Sequence, residues 1–220
     1  MLIDSATEQT TAATDLIIAV LAVVATVYLK RKGPQGLRGQ LWRSVLLLLT
    51  AAALLGAFGH GLVMRESLYA GVWLLAYLAL AMLVAAFVLA TIRDFAGDSS
   101  ARRALPVLVV IALAFFGYTM LDPENFRPFI LYELAAMALS LAGFVWITIR
   151  GELAGAAWIT AAIAVNILAA AIQAEGSLGF TLIWTFDHNG VFHLEQMLGI
   201  ALLVQGLRKG PGTESARGES

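Results

Sequence analysis

Residues 68–92, LYAGVWLLAYLALAMLVAAFVLATI, run for 25 positions without a charged side chain. A helix needs only about 20 apolar residues to cross the hydrocarbon core of a bilayer. Six further segments come close to that length, at roughly 12–30, 43–64, 105–121, 127–149, 153–174 and 188–207. A helix apolar on every side shows no useful 3.6-residue period, so length and chain breakers set these bounds. Gly33-Pro34, the run Asp98-Ser99-Ser100, Pro123, Gly151 and Gly176 fall between segments. Pro106 and Pro128 read as first-turn residues, where a missing N–H costs nothing.

Composition agrees. Hydrophobic residues make up 60% of the 220 and charged residues 13%, against about 25% charged in soluble domains. The mean hydropathy is +0.83. A soluble class is excluded, and the net charge of −1 offers nothing to a nucleic acid. The chain has no cysteine, which removes disulfides, thiolate metal sites and thiol nucleophiles. The first segment is preceded by acidic rather than basic residues, so it reads as a retained helix and not as a signal peptide.

Charge sets the expected orientation. With the loops assigned alternately, one side holds Lys30, Arg31, Lys32, Arg38, Arg43, Arg93, Arg102, Arg103, Arg150, Arg208, Lys209 and Arg217. The other side holds only Arg65 and Arg127. The positive-inside rule places the first group in the cytoplasm. The expected fold is therefore all-α: a polytopic bundle of seven transmembrane helices, N-terminus outside and C-terminus cytoplasmic. Residues 1–11 form an extracytoplasmic segment, 12–207 the bundle, and 208–220 a disordered tail. Trp42, Trp146 and Trp158 at the inner boundary, with Trp73 and Trp184 at the outer one, read as interfacial anchors. An excess of Arg over Lys, with abundant Ala and Gly, points to a bacterial inner membrane.

On this map the polar residues gather at the outer side: Asp15, His60, Tyr132, Glu133, Asn166, Gln173, His188, Asn189, His193, Glu195 and Gln196. Ionisable groups at membrane depth are costly and usually face the bundle interior. A bland reading stays open for the outermost of them, Asp187 and His188, as hydrated groups at headgroup level. Glu133 and Glu195 can each complement a helix N-terminus. Three imidazoles with a water would make a catalytic zinc site from His60, His188 and His193. His188 and His193 are five residues apart, about 140° around a helix. They could share an ion only if His188 precedes the first turn, with Asp187 or Asn189 as the cap.

The lone second-helix His60 and the HNGVFH pair opening the seventh segment resemble the CREST superfamily, which includes alkaline ceramidases and the progestin and adipoQ receptors. The EQTTAATD stretch, with Glu8 and Asp15, is similar to an uncharacterised bacterial branch of such proteins. The resemblance implies a seven-helix fold, zinc held by one His of the second helix and two of the seventh, and calcium at the acidic N-terminal segment. Gly56 stands where that family has a Ser, residues 68–92 lack its third-helix acid, and Asn189 takes the place of the first His of HxxxH. Glu133, Asp15 or Glu195 would then act as base on a zinc-bound water.

Two function classes follow. One is a zinc-dependent hydrolase of a lipid amide or ester, with its site at the outer side and acyl chains in the apolar lower bundle. The other is a non-catalytic receptor-like, sensory or structural membrane protein that keeps the fold. Membrane lipids are the expected partners in both. A proton relay or transporter would need ionisable groups in the inner halves of the helices, which read as Leu, Ala, Val and Ile.

Overall fold

The computed structural model describes residues 1–123 and 125–209. Six helices account for most of them: α1 (Ala6–Lys32), α2 (Gly36–Gly61), α3 (Glu66–Thr119), α4 (Arg127–Arg150), α5 (Ala156–Glu175) and α6 (His188–Lys209). Each is long and apolar enough to cross a membrane. Lipid supplies no hydrogen-bond partners, and a helix satisfies its backbone internally, so these compositions fold as helices. Val20, Val110, Leu131, Leu139 and Ile149 all face outward. An apolar exterior of that extent suits hydrocarbon rather than water.

The helix count differs from the seven apolar segments at one place. Segments 68–92 and 105–121 both lie in α3, whose backbone leaves helical geometry at Gly97 (φ 82°, ψ 175°). Ala81 and Ala85 pack in one cluster with Ala112. A straight helix would hold Ala81 and Ala112 about 45 Å apart at 1.5 Å per residue. The element therefore folds back on itself at Gly97 into two arms. Its turn lies just before the Asp98-Ser99-Ser100 run, and those three residues are helical. Pro106 is corrected by the same fact: it lies inside a helix rather than in a first turn. Pro128 does lie at the start of α4.

The other ends follow local rules. Ser5 caps α1 by accepting from the Glu8 N–H, so α1 begins six residues before the expected segment. Gly151 and Gly176 close α4 and α5 in the left-handed conformation. Helix α6 continues to Lys209; the rest of the expected tail, 210–220, lies outside the described residues. A short hairpin of β1 (Phe180–Thr181) and β2 (Thr185–Phe186) joins α5 to α6.

Each helix packs on the next, and α6 packs back on α1, so the bundle closes on itself. The main core joins Ile18, Ala22 and Leu29 of α1 to Trp42 and Leu46 of α2, Phe144 and Ile147 of α4, Ile159 and Ile163 of α5, and Leu203 and Leu207 of α6. These come alternately from C-terminal and N-terminal halves, so the core seals one end. Lys30–Lys32, Arg150 and Arg208–Lys209 lie at the helix termini of that same end. Trp42 is a correction: it is buried in this core, edge-on to Phe87, and is not a lipid-facing anchor. Trp146 and Trp158 do face outward, each under a cation, Arg150 and Lys209 respectively.

Candidate functional site

The opposite end opens into a central cavity of 1320 Å³. Its deep wall is apolar, with Leu46, Leu49, Phe87, Met137, Ile200 and Leu203. Its upper wall is polar, with Asp15, His60, Trp73, Glu133, Asn166, Gln173, His188, Asn189, His193 and Gln196. From His188 to Leu203 the cavity follows α6 for 16 residues, about 22 Å of helix.

The polar wall is built around α1. EQTTAATD is the first turns of that helix, and Thr10, Thr11, Thr14 and Asp15 are all buried. The Thr14 hydroxyl lies 2.8 Å from Nδ1 of His193 and within reach of the Thr10 and Thr11 carbonyls. It fixes the imidazole with Nε2 toward Asp15, whose Oδ1 is 3.5 Å away. That separation exceeds a hydrogen bond, so the pair is close but unjoined. Both residues are buried.

Gly56 explains the position of Asp15. A Cβ at Gly56 would stand 2.6 Å from Asp15 Oδ2, so the carboxylate occupies the space that any side chain there would need. Gly56 is thus paired with Asp15.

His60 is held differently. Its Nδ1 lies 2.7 Å from Glu8 Oε2, and its ring meets Trp73 edge-on at 5.2 Å. The N-terminal segment clamps this region through Ile3 N–H to the Gly61 carbonyl and Val63 N–H to the Met1 carbonyl.

Helix α6 decides the remaining candidates. Asp187 accepts from the Gly190 N–H at 2.9 Å and is the cap, and Thr11 donates to the same oxygen. The first turn begins at His188 itself, so the condition for His188 and His193 to share an ion is not met. Asn189, His193 and Gln196 line the cavity as one stripe, and His188 reaches it from the first turn. Glu195, two positions beyond His193, lies about 200° around the helix and is not among the cavity-lining residues. Asn189 accepts from Gln173 Nε2 at 3.1 Å. Tyr132 stacks on Phe115 and is likewise outside the cavity lining.

Among the described residues, no three His, Asp or Glu side chains are grouped closely enough to hold a metal ion. That covers His60, His188 and His193 as a zinc set, and the acids Glu8 and Asp15 of the N-terminal segment. His60, His188 and His193, as placed, do not form a three-imidazole zinc site.

Three polar atoms of cavity-lining residues are buried without a hydrogen-bond partner among the described residues: Trp73 Nε1, Glu133 Oε2 and Gln173 Oε1. One is a donor and two are oxygens, and they come from α3, α4 and α5 respectively. Glu133 and Gln173 are visible in the sequence as polar residues in apolar segments. Trp73 and Thr14 are not, because an indole or a threonine in a membrane helix carries no signal of its own.

The sequence reading also missed a charged cluster at the sealed end. Arg38 Nε donates to Asp94 Oδ1 at 2.8 Å, and Trp42 Nε1 donates to Asp94 Oδ2 at 3.0 Å. Arg38 and Asp94 are both buried. Arg38 therefore spends its charge on a carboxylate inside the bundle rather than in a loop. The signal was Asp94 itself, an acid two residues past the apolar run.

The profile of a family of unknown function, DUF6962, matches residues 10–211, and the chain belongs to that family. No curated protein and no solved structure matches the chain.

Proposed function

We propose that this member of the family is a seven-span protein of a bacterial inner membrane, N-terminus outside, that takes a single-chain lipid amphiphile into its bundle. The seven spans are the five other helices and the two arms of α3. The Lys and Arg residues at the sealed end support a cytoplasmic placement for it.

The amphipathic cavity carries the reading. It is larger than the roughly 300–1,000 Å³ typical of drug-sized ligand sites, and its deep wall offers only apolar contacts to a tail. At the polar end, Trp73 Nε1 needs an acceptor, and Gln173 Oε1 needs a donor. A buried polar atom without a partner costs about 1–3 kcal/mol. A headgroup bearing both donor and acceptor atoms, such as an amide or a hydroxyl, relieves both. The polar wall carries the carboxyls of Asp15 and Glu133 and has no Lys, while Arg127 lines the cavity from the first residue of α4. That balance favours a neutral or cationic head over a carboxylate.

Hydrolysis of a lipid amide or ester is the second reading. The proximity of Asp15 to His193, with the ring held by Thr14, favours it, because two titratable groups beside the head position can exchange protons with a substrate. Zinc plays no part in this version.

Thermal unfolding of the purified protein with neutral single-chain amphiphiles of increasing chain length tests the binding reading. Stabilisation should grow with chain length and vanish in Leu49→Trp, which fills the deep wall. A response indifferent to chain length, or unchanged in that variant, would sink it. Product release lost in His193→Ala and kept in Glu195→Ala would support hydrolysis. Binding without product leaves the receptor-like reading, and one zinc per chain by metal analysis would overturn the placement of His60, His188 and His193 as separate groups.

A further inference from the structure

The stretch between α5 and the α6 cap Asp187, GSLGFTLIWTF (176–186), contains no charged side chain. Its β1 and β2 pair antiparallel, Phe180 opposite Phe186 and Thr181 opposite Thr185. The root of the hairpin is fixed: Phe186 is buried, Phe180 stacks on it at 4.9 Å, and β2 packs on α1. The tip is not. Leu182, Ile183 and Trp184 are 81%, 84% and 59% exposed.

A hairpin tip in water is built from Gly, Asn, Asp, Pro or Ser, which suit tight turns and bind solvent. Leu, Ile and Trp do neither. The level of the hairpin supplies the reason. Helix α5 has 20 residues, and about 20 residues span the hydrocarbon core. The chain therefore leaves α5 at one boundary of the membrane and re-enters at His188. The helices on either side turn Leu168, Leu194 and Leu198 outward, so the apolar tip continues a lipid-facing surface. Trp prefers the headgroup level, where its ring is buried and its N–H is wet.

We infer that this hairpin is a membrane-surface anchor, with Leu182 and Ile183 inserted into the leaflet beside the cavity mouth and Trp184 at headgroup level. The partner is the lipid surface itself. With no Lys or Arg in the loop, the contact is apolar and takes zwitterionic and anionic lipids alike, independent of salt. The inference needs only a bundle in a bilayer and stands apart from the amphiphile reading.

The absence of cysteine allows a direct test. Leu182→Cys and Ile183→Cys are each labelled with an environment-sensitive fluorophore and reconstituted into phosphatidylcholine vesicles, with and without phosphatidylglycerol. Ser99→Cys, exposed near the Gly97 turn, serves as the water-facing control. Wild-type elution and thermal unfolding establish that the variants fold. The expected result is blue-shifted emission, several-fold weaker quenching by iodide than at position 99, and strong quenching by a spin-labelled lipid in both vesicle types. Iodide quenching equal to the control would overturn the anchor. Protection from both quenchers would also overturn it, because a second protein would then cover the tip. Insertion that required the anionic lipid would refute the charge-independent contact.

Discussion

Gly56→Ala places one methyl group against the Asp15 carboxylate, 2.6 Å from Oδ2 and 3.0 Å from Cγ. Carbon and oxygen do not rest that close, so something must yield by about 0.4 Å or more. The carboxylate has little freedom, since it is buried and faces the fixed ring of His193. Either α1 and α2 separate, or Asp15 swings away from His193. Overpacking of this kind costs about 1–3 kcal/mol, which lowers the unfolding temperature of a chain this size by about 3–10 °C. The penalty depends on Asp15. In an Asp15→Ala background the three atoms nearest that methyl, all of the Asp15 carboxyl, are gone, and Ala is the better helix former by about 1 kcal/mol. Gly56→Ala should then be neutral or stabilising. Thermal unfolding of the four proteins in one detergent, followed by tryptophan fluorescence, gives the coupling directly. If the two substitutions add to within about 0.5 kcal/mol, Asp15 does not occupy the space over Gly56, and the polar end of the cavity is wrongly built.

Gly97→Ala should cost about 1–3 kcal/mol, because φ 82° with ψ 175° is a backbone region open essentially to Gly alone; an unchanged unfolding temperature would mean that α3 does not fold back there. Asp94→Ala leaves the buried Arg38 guanidinium without its carboxylate and should cost about 3–5 kcal/mol, most of which returns when Arg38→Met is added. An Arg38→Met, Asp94→Leu protein as unstable as Asp94→Ala would refute the pairing. Glu133→Leu removes a buried oxygen that lacks a partner and should raise the stability of the ligand-free protein by about 1–2 kcal/mol while abolishing stabilisation by amphiphiles. A loss of stability in that variant would show that the carboxyl is satisfied.

Much of the layout was readable. The apolar runs predict the helices to within a few residues at most ends, because a span needs about 20 residues whatever they pack against. The errors have physical sources. Pro106 looks like a first-turn residue and the Asp98-Ser99-Ser100 run like a breaker, yet the chain turns at Gly97, whose positive φ cannot be read from the letter. Trp42 looks like an interfacial anchor, and only the packing of α2 on α3 shows that its N–H has a carboxylate to reach. The polar residues were placed at the end where the cavity opens, and of those named only Tyr132 and Glu195 do not line it. His188, His193 and Glu195 are near neighbours in sequence; on the helix Glu195 turns away, and His188 approaches from a first turn that starts one residue after Asp187.

Composition by itself determined that this chain crosses a membrane as a helical bundle, since apolar runs of that length fold only with their backbones satisfied internally. It also determined which end gathers the cations and which the histidines. Only the tertiary structure decided that Asp15, Thr14 and His193 meet, that Gly56 leaves room for them, and that Arg38 is spent on Asp94. Helices that are apolar all round carry no stripe to say which face turns inward. That choice is made by how six helices close into one ring, and no single helix contains it.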